Sequence, residues 1–287
     1  MIASAPADGT DRGSKQAGAA RRGVGGFTLI EVLVVVAVIA VLLSILLPAL
    51  TRARDSGRRV VCMSNQRQLW LAWSMYADSN AGKPVPHAAP NARERVYWYG
   101  AEDLETGRLD HTRGTLSDYL DAAPGDRSAY ECPAQPEGSY REQGGAGGFT
   151  TTYGYNAYAL APATSGYADL SRRRWPAVHE FVSPSQLFVF GDSLLALHSE
   201  QPSNSALLDP PMLYQSRRGR WVLNYSPTTA FRHGQRDAGF GLAVIARGDG
   251  SVGPETHDPD AKSIEAHGIG SVRATNDPNY VPNWRRW

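Results

Sequence analysis

Cysteine is scarce in this chain: among 287 residues only Cys62 and Cys132 are present, far apart in the sequence. Two cysteines are too few for a disulfide framework, and they lack the close spacing of a zinc-binding cluster. Two alternatives remain, a single Cys62–Cys132 disulfide in an oxidising compartment or two buried free thiols. We favour the disulfide, which would close a loop of about 70 residues.

An excess of charge of one sign is also lacking, because 29 basic and 28 acidic residues leave a net charge of +1. This balance gives no reason to expect a nucleic-acid partner. The sequence also lacks a nucleophile elbow and the ligand spacing of a catalytic metal site, so an enzyme is disfavoured. The length suits one large domain or two small ones with a real core.

One long apolar run is present near the start of the chain. Residues 27–47 contain only three residues that are not apolar, Thr28, Glu31 and Ser44. As a helix this run would span roughly 30 Å, the thickness of the hydrocarbon core of a bilayer. It follows a basic leader, residues 1–26, whose charge should keep this end in the cytoplasm. The pattern predicts a single membrane-spanning helix.

Three interpretations of this run compete. A secretory signal peptide should have an apolar region of about 7–15 residues before a small-residue cleavage site, and this run is longer. A plain membrane anchor explains the run but leaves Glu31 unexplained, because a carboxylate inside a membrane span is costly and usually has a partner or a function. The third interpretation explains both features and depends on the residues at the start of the run.

The string Gly-Phe-Thr-Leu-Ile-Glu at residues 26–31, followed by Val-Leu-Val-Val-Val, resembles the type IV pilin and type II secretion pseudopilin family. The resemblance implies that a prepilin peptidase cuts between Gly26 and Phe27 and that Phe27 is then N-methylated. It makes Glu31 the fifth residue of the mature chain and places Pro48 where the family tends to have proline. Gly26 suits a cleavage site because a residue without a side chain lets the backbone approach a protease closely.

The resemblance also implies tasks for Glu31 and Pro48 in filament assembly. Glu31 would neutralise the α-amino group of a neighbouring subunit's Phe27, which offsets the desolvation of both charges and sets the axial register. Pro48 removes one helical hydrogen bond and should kink the helix where it leaves the membrane.

A helical period continues beyond the apolar run. One helix face holds Cys62, Leu69, Trp73 and Tyr76. This spacing predicts that residues 27–48, the membrane and assembly helix, continue as an amphipathic helix over residues 49–78. The amphipathic part should pack against an extracytoplasmic domain formed by residues 79–287.

Later elements resemble a subgroup of pilin-like proteins that is abundant in Planctomycetes and Verrucomicrobia. Its members often have a Cys-x-x-Asn-x-Arg-Gln helix, a later Cys-Pro, and a C-terminal His followed by Asp-Gly. The matching elements here are residues 62–68, Cys132-Pro133, and His233 with Asp249-Gly250. His233 and Asp249 stand farther apart than in the subgroup, which indicates an insertion around residues 235–239.

Two apolar stretches predict core strands, residues 184–192 ending in Asp192 and residues 242–246, with Asp249-Gly250 as a tight hairpin turn after the second. We consider His233 and Asp249 as a structural turn pair. Asp192 and Asp249 are weak calcium candidates, because the resemblance to major pseudopilins implies calcium near the C-terminus. No contiguous calcium loop is present, so we prefer acids that cap their own turns and expect no cofactor.

Together these expectations describe an α+β fold, with a long N-terminal helix on an antiparallel sheet and long Gly/Pro-rich loops. They imply a minor structural subunit of a type II secretion-like pseudopilus or a type IV pilus-like filament. The precursor would sit in the bacterial inner membrane, N-terminus cytoplasmic and domain periplasmic. Its partners would be prepilin peptidase and other pilin or pseudopilin subunits. The alternative is a single-span, membrane-anchored ligand-binding domain that does not polymerise.

Overall fold

The computed structural model describes residues 27–90, 93–120, 129–135, 151–162, 175–196, 202–215, 218–237 and 240–283. The predicted leader, residues 1–26, and with it Gly26 lie outside the described residues. The chain divides into two compact units, Met1–Pro48 and Ala49–Trp287.

Helix α1 runs from Leu29 to Ser79 and contains Pro48. Its first part is the apolar run, and every residue from Phe27 to Pro48 is exposed. Among the described residues this is the one helix long and apolar enough to cross a membrane, with a mean hydropathy of 3.2 over its most apolar window. An exposed apolar surface of this size needs lipid or another protein to cover it. The kink at Pro48 stays a prediction.

The second half of α1 packs against the domain through one face, as the sequence predicts. The buried residues of this face are Cys62, Asn65, Gln66, Leu69, Ala72, Trp73 and Ala77. Tyr76 is half-buried and meets the ring of Tyr119 edge to face. At the core, the indole of Trp73 donates to the hydroxyl of Tyr155 over 3.3 Å, and that hydroxyl donates to the carbonyl of Val85 over 3.0 Å. Both polar groups are therefore satisfied inside an aromatic core, as buried polar groups must be.

The strands are short, and their named pairs are antiparallel. They are β1 (Ala88–Pro90), β2 (Glu94–Tyr97), β3 (Gly100–Asp103), β4 (Leu109–Asp110), β5 (Tyr153–Tyr155), β6 (Phe188–Asp192), β7 (Met212–Gln215), β8 (Arg220–Leu223), β9 (Thr229–Ala230), β10 (His233–Asp237), β11 (Phe240–Arg247), β12 (Val252–Thr256) and β13 (Ile269–Gly270). Helix α2 (Ala157–Leu160) is a single turn. A long helix against antiparallel sheets confirms the predicted α+β, pilin-like architecture.

The strands form a four-stranded sheet in the order β1-β2-β3-β4, a main sheet in the order β10-β11-β6-β5 with β12 also on β11, and the pairs β13-β9 and β7-β8. Strands β6 and β11 confirm the two predicted core strands. The predicted insertion around residues 235–239 stays a prediction; of these residues, 235–237 belong to β10.

Strand β11 is shared among three neighbours. Its residues 242–246 pair with β12, while Leu242 also pairs with β10 and residues 245–247 also pair with β6. A strand has only two edges, so β10 and β6 lie along the same edge and leave a gap between them at Val244. Side chains fill this gap: the N–H of Val244 donates to Asp192 over 2.8 Å, and its carbonyl accepts from Gln66 over 2.8 Å.

The turn between β11 and β12 packs against α1. Gly250 has a φ of +85°, and its carbonyl accepts from Arg67, whose guanidinium lies 4.7 Å from the centre of the Trp70 ring. A Cβ at Gly250 would overlap Arg67 and lie 2.8 Å from the Trp70 ring. The carboxylate of Asp249 accepts from the N–H and the hydroxyl of Ser251. The predicted turn is confirmed, and glycine is required there by both its φ and its close contacts.

We expect Gly250→Ala to lower the free energy of unfolding by roughly 2–5 kcal/mol, because it adds left-handed strain to a steric overlap. Gly219→Ala is the matched control: its φ is +58°, but the nearest atom is 3.8 Å away, so only the strain of about 1 kcal/mol remains. All seven tryptophans lie in the unit Ala49–Trp287. Urea unfolding of the full chain in detergent, followed by tryptophan fluorescence, measures both. If Gly250→Ala and Gly219→Ala lost equal free energy of unfolding, the argument from close packing at Gly250 would be contradicted.

His87 is buried beside β2. Its ring meets that of Tyr97 edge to face at 5.6 Å, and its Nδ1 has no hydrogen-bond partner within the described parts of the chain. Burial, with the nearby charge of Arg95, lowers the pKa of His87 from 6.5 to about 4. The folded chain therefore holds this ring neutral where an unfolded chain would begin to protonate it.

We expect this ring to destabilise the domain in acid. Between its two pKa values the unfolded state binds the proton and the folded state does not, so stability present above pH 6.5 is lost as the pH falls toward 4. The full effect is about 3 kcal/mol. His87→Gln should flatten the fall in urea midpoint between pH 7 and pH 5 relative to wild type. His267→Gln, at a half-buried surface site, is the control; an unchanged slope in His87→Gln would refute the assignment.

Candidate functional site

Four polar side chains from four separate segments meet inside the unit Ala49–Trp287. Cys62 comes from α1, Cys132 from the segment before Pro133, Asp192 from the end of β6 and His233 from the start of β10. Their ligand atoms all lie within 4.8 Å of one another. Each residue is at most 1 % exposed. We refer to these four residues as the buried cluster.

Asp192 is the centre of the buried cluster. Its Oδ1 lies 3.3 Å from the Sγ of Cys62, and its Oδ2 lies 3.1 Å from the Nε2 of His233. The same Oδ2 accepts from the N–H of Val244 over 2.8 Å, which places the carboxylate in the gap between β6 and β10. A buried carboxylate with these partners has its lone pairs largely satisfied.

The histidine of the cluster faces two acceptors with one nitrogen. Its Nε2 lies 3.3 Å from the Sγ of Cys132 as well as 3.1 Å from Asp192. Its Nδ1 is buried and has no hydrogen-bond partner among the residues that the structure describes. The N–H of Cys132 donates to the hydroxyl of Thr152 over 2.6 Å, which fixes the backbone that carries this thiol. The four polar groups thus converge on one point.

The two thiols of the buried cluster differ in pKa because their surroundings differ. Burial raises the pKa of Cys62, and the neighbouring Cys132 and Asp192 raise it further. Burial acts in the same direction on Cys132, but the contacts with Cys62 and His233 and the charge of Arg232 outweigh it and lower that pKa to about 7. Cys132 is therefore the thiol that more readily becomes a thiolate.

The acid and the histidine hold each other in the charged form. Burial opposes the charge of Asp192, but the hydrogen bond from His233 and the charge of Arg232 lower its pKa. Burial also opposes protonation of His233, and contacts with Asp192 and Cys132 raise its pKa to about 9. Arg232 donates to the carbonyl of Ser193, next to Asp192, and adds a positive charge at this side of the cluster.

Sequence reasoning named all four residues and paired Cys62 with Cys132, but it did not predict that Asp192 and His233 join them. His233 pairs with Asp192, so the predicted turn pair of His233 and Asp249 is wrong; the carboxylate of Asp249 bonds within its own turn. The two weak calcium candidates accordingly have separate partners. Cys62 and Cys132 are free thiols in the structure, so their disulfide stays a prediction.

The other candidate site is the start of α1. Phe27 is 83 % exposed. The carboxylate of Glu31 accepts from the N–H and the hydroxyl of Thr28, each over 2.8 Å, and the N–H of Glu31 faces that hydroxyl at 3.3 Å. This is a reciprocal capping box, in which Thr and Glu three residues apart satisfy free groups at a helix start. Thr-x-x-Glu before an apolar run is a sequence signal for it, which our sequence analysis missed.

Residues 21–47 match the family described as the prokaryotic N-terminal methylation motif. The chain carries the type IV pilin and pseudopilin signal. No curated protein and no solved structure matches the chain. The likeness to the Planctomycetes and Verrucomicrobia subgroup therefore stays a prediction.

The pilin signal and the apolar first part of α1 together indicate a single-pass, membrane-anchored protein. The signal also implies processing by a prepilin peptidase and assembly with other pilin subunits in general. It is typical of structural proteins. The predicted processing site, Gly26 and Phe27, falls within the matched residues 21–47.

Cleavage of the pilin signal is expected between Gly26 and Phe27. Co-expression of the precursor with a prepilin peptidase should give a mature chain that begins with N-methylated Phe27, as read by N-terminal sequencing and by peptide mass. Gly26→Val should block the cut, because a branched side chain prevents the close approach of the backbone. The neighbouring Gly25→Val is the matched control. A mature chain that begins elsewhere would contradict the assignment.

Proposed function

We propose that the chain is a minor structural subunit of a type II secretion-like pseudopilus or a type IV pilus-like filament. One observation carries the proposal: the N-terminal methylation motif at residues 21–47 includes a carboxylate, Glu31, which is the one charged side chain in the apolar run of residues 27–47. A carboxylate within a membrane span is costly and usually has a partner or a function, and a filament can pair it with the amine of a neighbouring subunit. The task is assembly, without catalysis.

The surface of α1 supports assembly on physical grounds. From Phe27 to Pro48 all residues are exposed, and nearly all are apolar. Lipid covers such a surface before assembly, and the same helices of neighbouring subunits replace the lipid in a filament. Apolar contacts gain little over lipid, so polar groups must direct the association. Glu31 is the ionisable side chain available for this in the segment.

The membrane topology of the precursor follows from the charges that flank its membrane-spanning helix. The basic leader, residues 1–26, favours a cytoplasmic N-terminus in the bacterial inner membrane. The unit Ala49–Trp287 then lies in the periplasm until the subunit enters the filament. This domain is large for a major pseudopilin, which favours a minor subunit.

Glu31 has two tasks in this proposal. In the single chain it caps its own helix through Thr28. In the filament its charge would pair with the N-methylated amine of a neighbouring Phe27, which stays cationic after methylation. Two substitutions separate the tasks, because glutamine keeps the capping geometry without the charge, and Thr28→Val removes the capping hydroxyl but keeps the charge.

We expect Glu31→Gln to lower incorporation into filaments by at least about tenfold, because it removes the charge that the neighbouring amine requires. Membrane insertion should be unchanged. The measurement compares the chain in sheared filaments with the chain in membranes, in cells that carry the assembly machine. Glu31→Ala should lose incorporation as well.

Thr28→Val is the matched control, and it should retain most incorporation. Equal incorporation of wild type and Glu31→Gln would contradict the filament proposal and favour the non-polymerising, ligand-binding anchor. Loss in Thr28→Val with retention in Glu31→Gln would assign the effect to the helix cap.

A further inference from the structure

We propose that Cys62, Cys132, Asp192 and His233 together bind one structural zinc ion. The proposal is independent of filament assembly, because all four residues lie in the unit Ala49–Trp287. Two thiolates, one imidazole and one carboxylate are ligand types that zinc takes in proteins.

The distances within the buried cluster fit a tetrahedral ion. Zinc bonds of about 2.0–2.3 Å at tetrahedral angles place neighbouring ligand atoms about 3.3–3.8 Å apart. The short separations are 3.3 Å from the Sγ of Cys62 to the Oδ1 of Asp192, 3.3 Å from the Sγ of Cys132 to the Nε2 of His233, and 3.1 Å from that Nε2 to the Oδ2 of Asp192. All four ligand atoms lie within 4.8 Å of one another, so short pairs need to move apart by a few tenths of an ångström and wider pairs need to approach by up to about 1 Å.

The pattern of contacts favours an ion over separate hydrogen bonds. One nitrogen of His233 faces both Asp192 and Cys132, and a single N–H cannot donate linearly to both. A metal ion at the common point would satisfy all of these groups at once. Gln66 supports the site, since its amide reaches the Sγ of Cys62 at 3.9 Å while bonding Val244 over 2.8 Å.

Charge balance also favours a dication. Two thiolates and the carboxylate of Asp192 carry three negative charges when His233 is neutral, and the thiols release their protons to solvent on binding. Zinc supplies two positive charges, and Arg232, which donates to the carbonyl of Ser193 next to Asp192, supplies the third. The buried site is then neutral, which removes most of the cost of enclosing charge.

The site is closed, and its role is therefore structural. All four ligands come from the protein, and each is at most 1 % exposed, so no position is open for a substrate. The ion would join α1, the Cys132 segment, β6 and β10. Zinc and the predicted disulfide are mutually exclusive, because a sulfur in an S–S bond is no longer a thiolate ligand.

The test is the metal content of the full-length chain, exported in cells supplied with zinc chloride and purified in detergent without chelator. Plasma mass spectrometry should find about one zinc ion per chain. Cobalt substitution should give a thiolate-to-cobalt absorption band. In Cys62→Ser and His233→Asn the zinc content should fall at least tenfold. His111→Asn is the matched control: this buried histidine bonds the carbonyl of Tyr99 over 2.8 Å, outside the cluster.

A second measurement avoids dependence on folded variants. Wild-type chain is unfolded with chelator and reductant and refolded with or without zinc chloride; zinc should raise the thermal unfolding midpoint. Intact mass and thiol alkylation then decide between the alternatives. A metal-free chain with a Cys62–Cys132 disulfide overturns the proposal. So does a metal-free chain with two alkylatable thiols that zinc does not stabilise, or retention of zinc in Cys62→Ser.

Discussion

Val244 lies where two strands share one edge of β11, and its backbone N–H and carbonyl have no strand to pair with there. Unpaired, these buried groups would cost a few kcal/mol. The side chains of Asp192 and Gln66 replace the missing strand. Because Asp192 is a buried charge, it in turn requires His233 and the nearby Arg232. The buried cluster is thus the consequence of how the main sheet is built.

The two parts of helix α1 differ in what covers their apolar side chains. From Phe27 to Pro48 its apolar side chains are exposed around the whole helix, which suits lipid and the helices of other subunits. From Ala49 onward it buries one face, including Trp73, against its own domain. The turn at Gly250 is fitted to that face through Arg67. One helix therefore combines an exposed apolar segment with a core element.

Residue patterns predicted much of this fold because their signals are local. The apolar run and the helical period after it predicted α1, and the apolar stretches ending at Asp192 and Ala246 predicted β6 and β11. The buried cluster was not predictable in the same way, because its members stand far apart and meet only through the sheet topology around Val244. Asp249 was paired with His233 by a family pattern, whereas the ladder between β10 and β11 places His233 opposite Leu242, and its side chain contacts Asp192. The capping box of Thr28 and Glu31 could have been predicted from the Thr-x-x-Glu pattern, but it was not.

The complete burial of Cys62 and Cys132 has a consequence for timing. Reagents in the medium reach a fully enclosed sulfur only when the surrounding structure opens, and global opening of stable domains is slow. The chemical state of these thiols, whether oxidised or bound to a metal, is consequently decided while the chain is still folding. Once folded, the domain should keep that state through later changes of redox potential or metal supply, so each molecule preserves the conditions under which it folded.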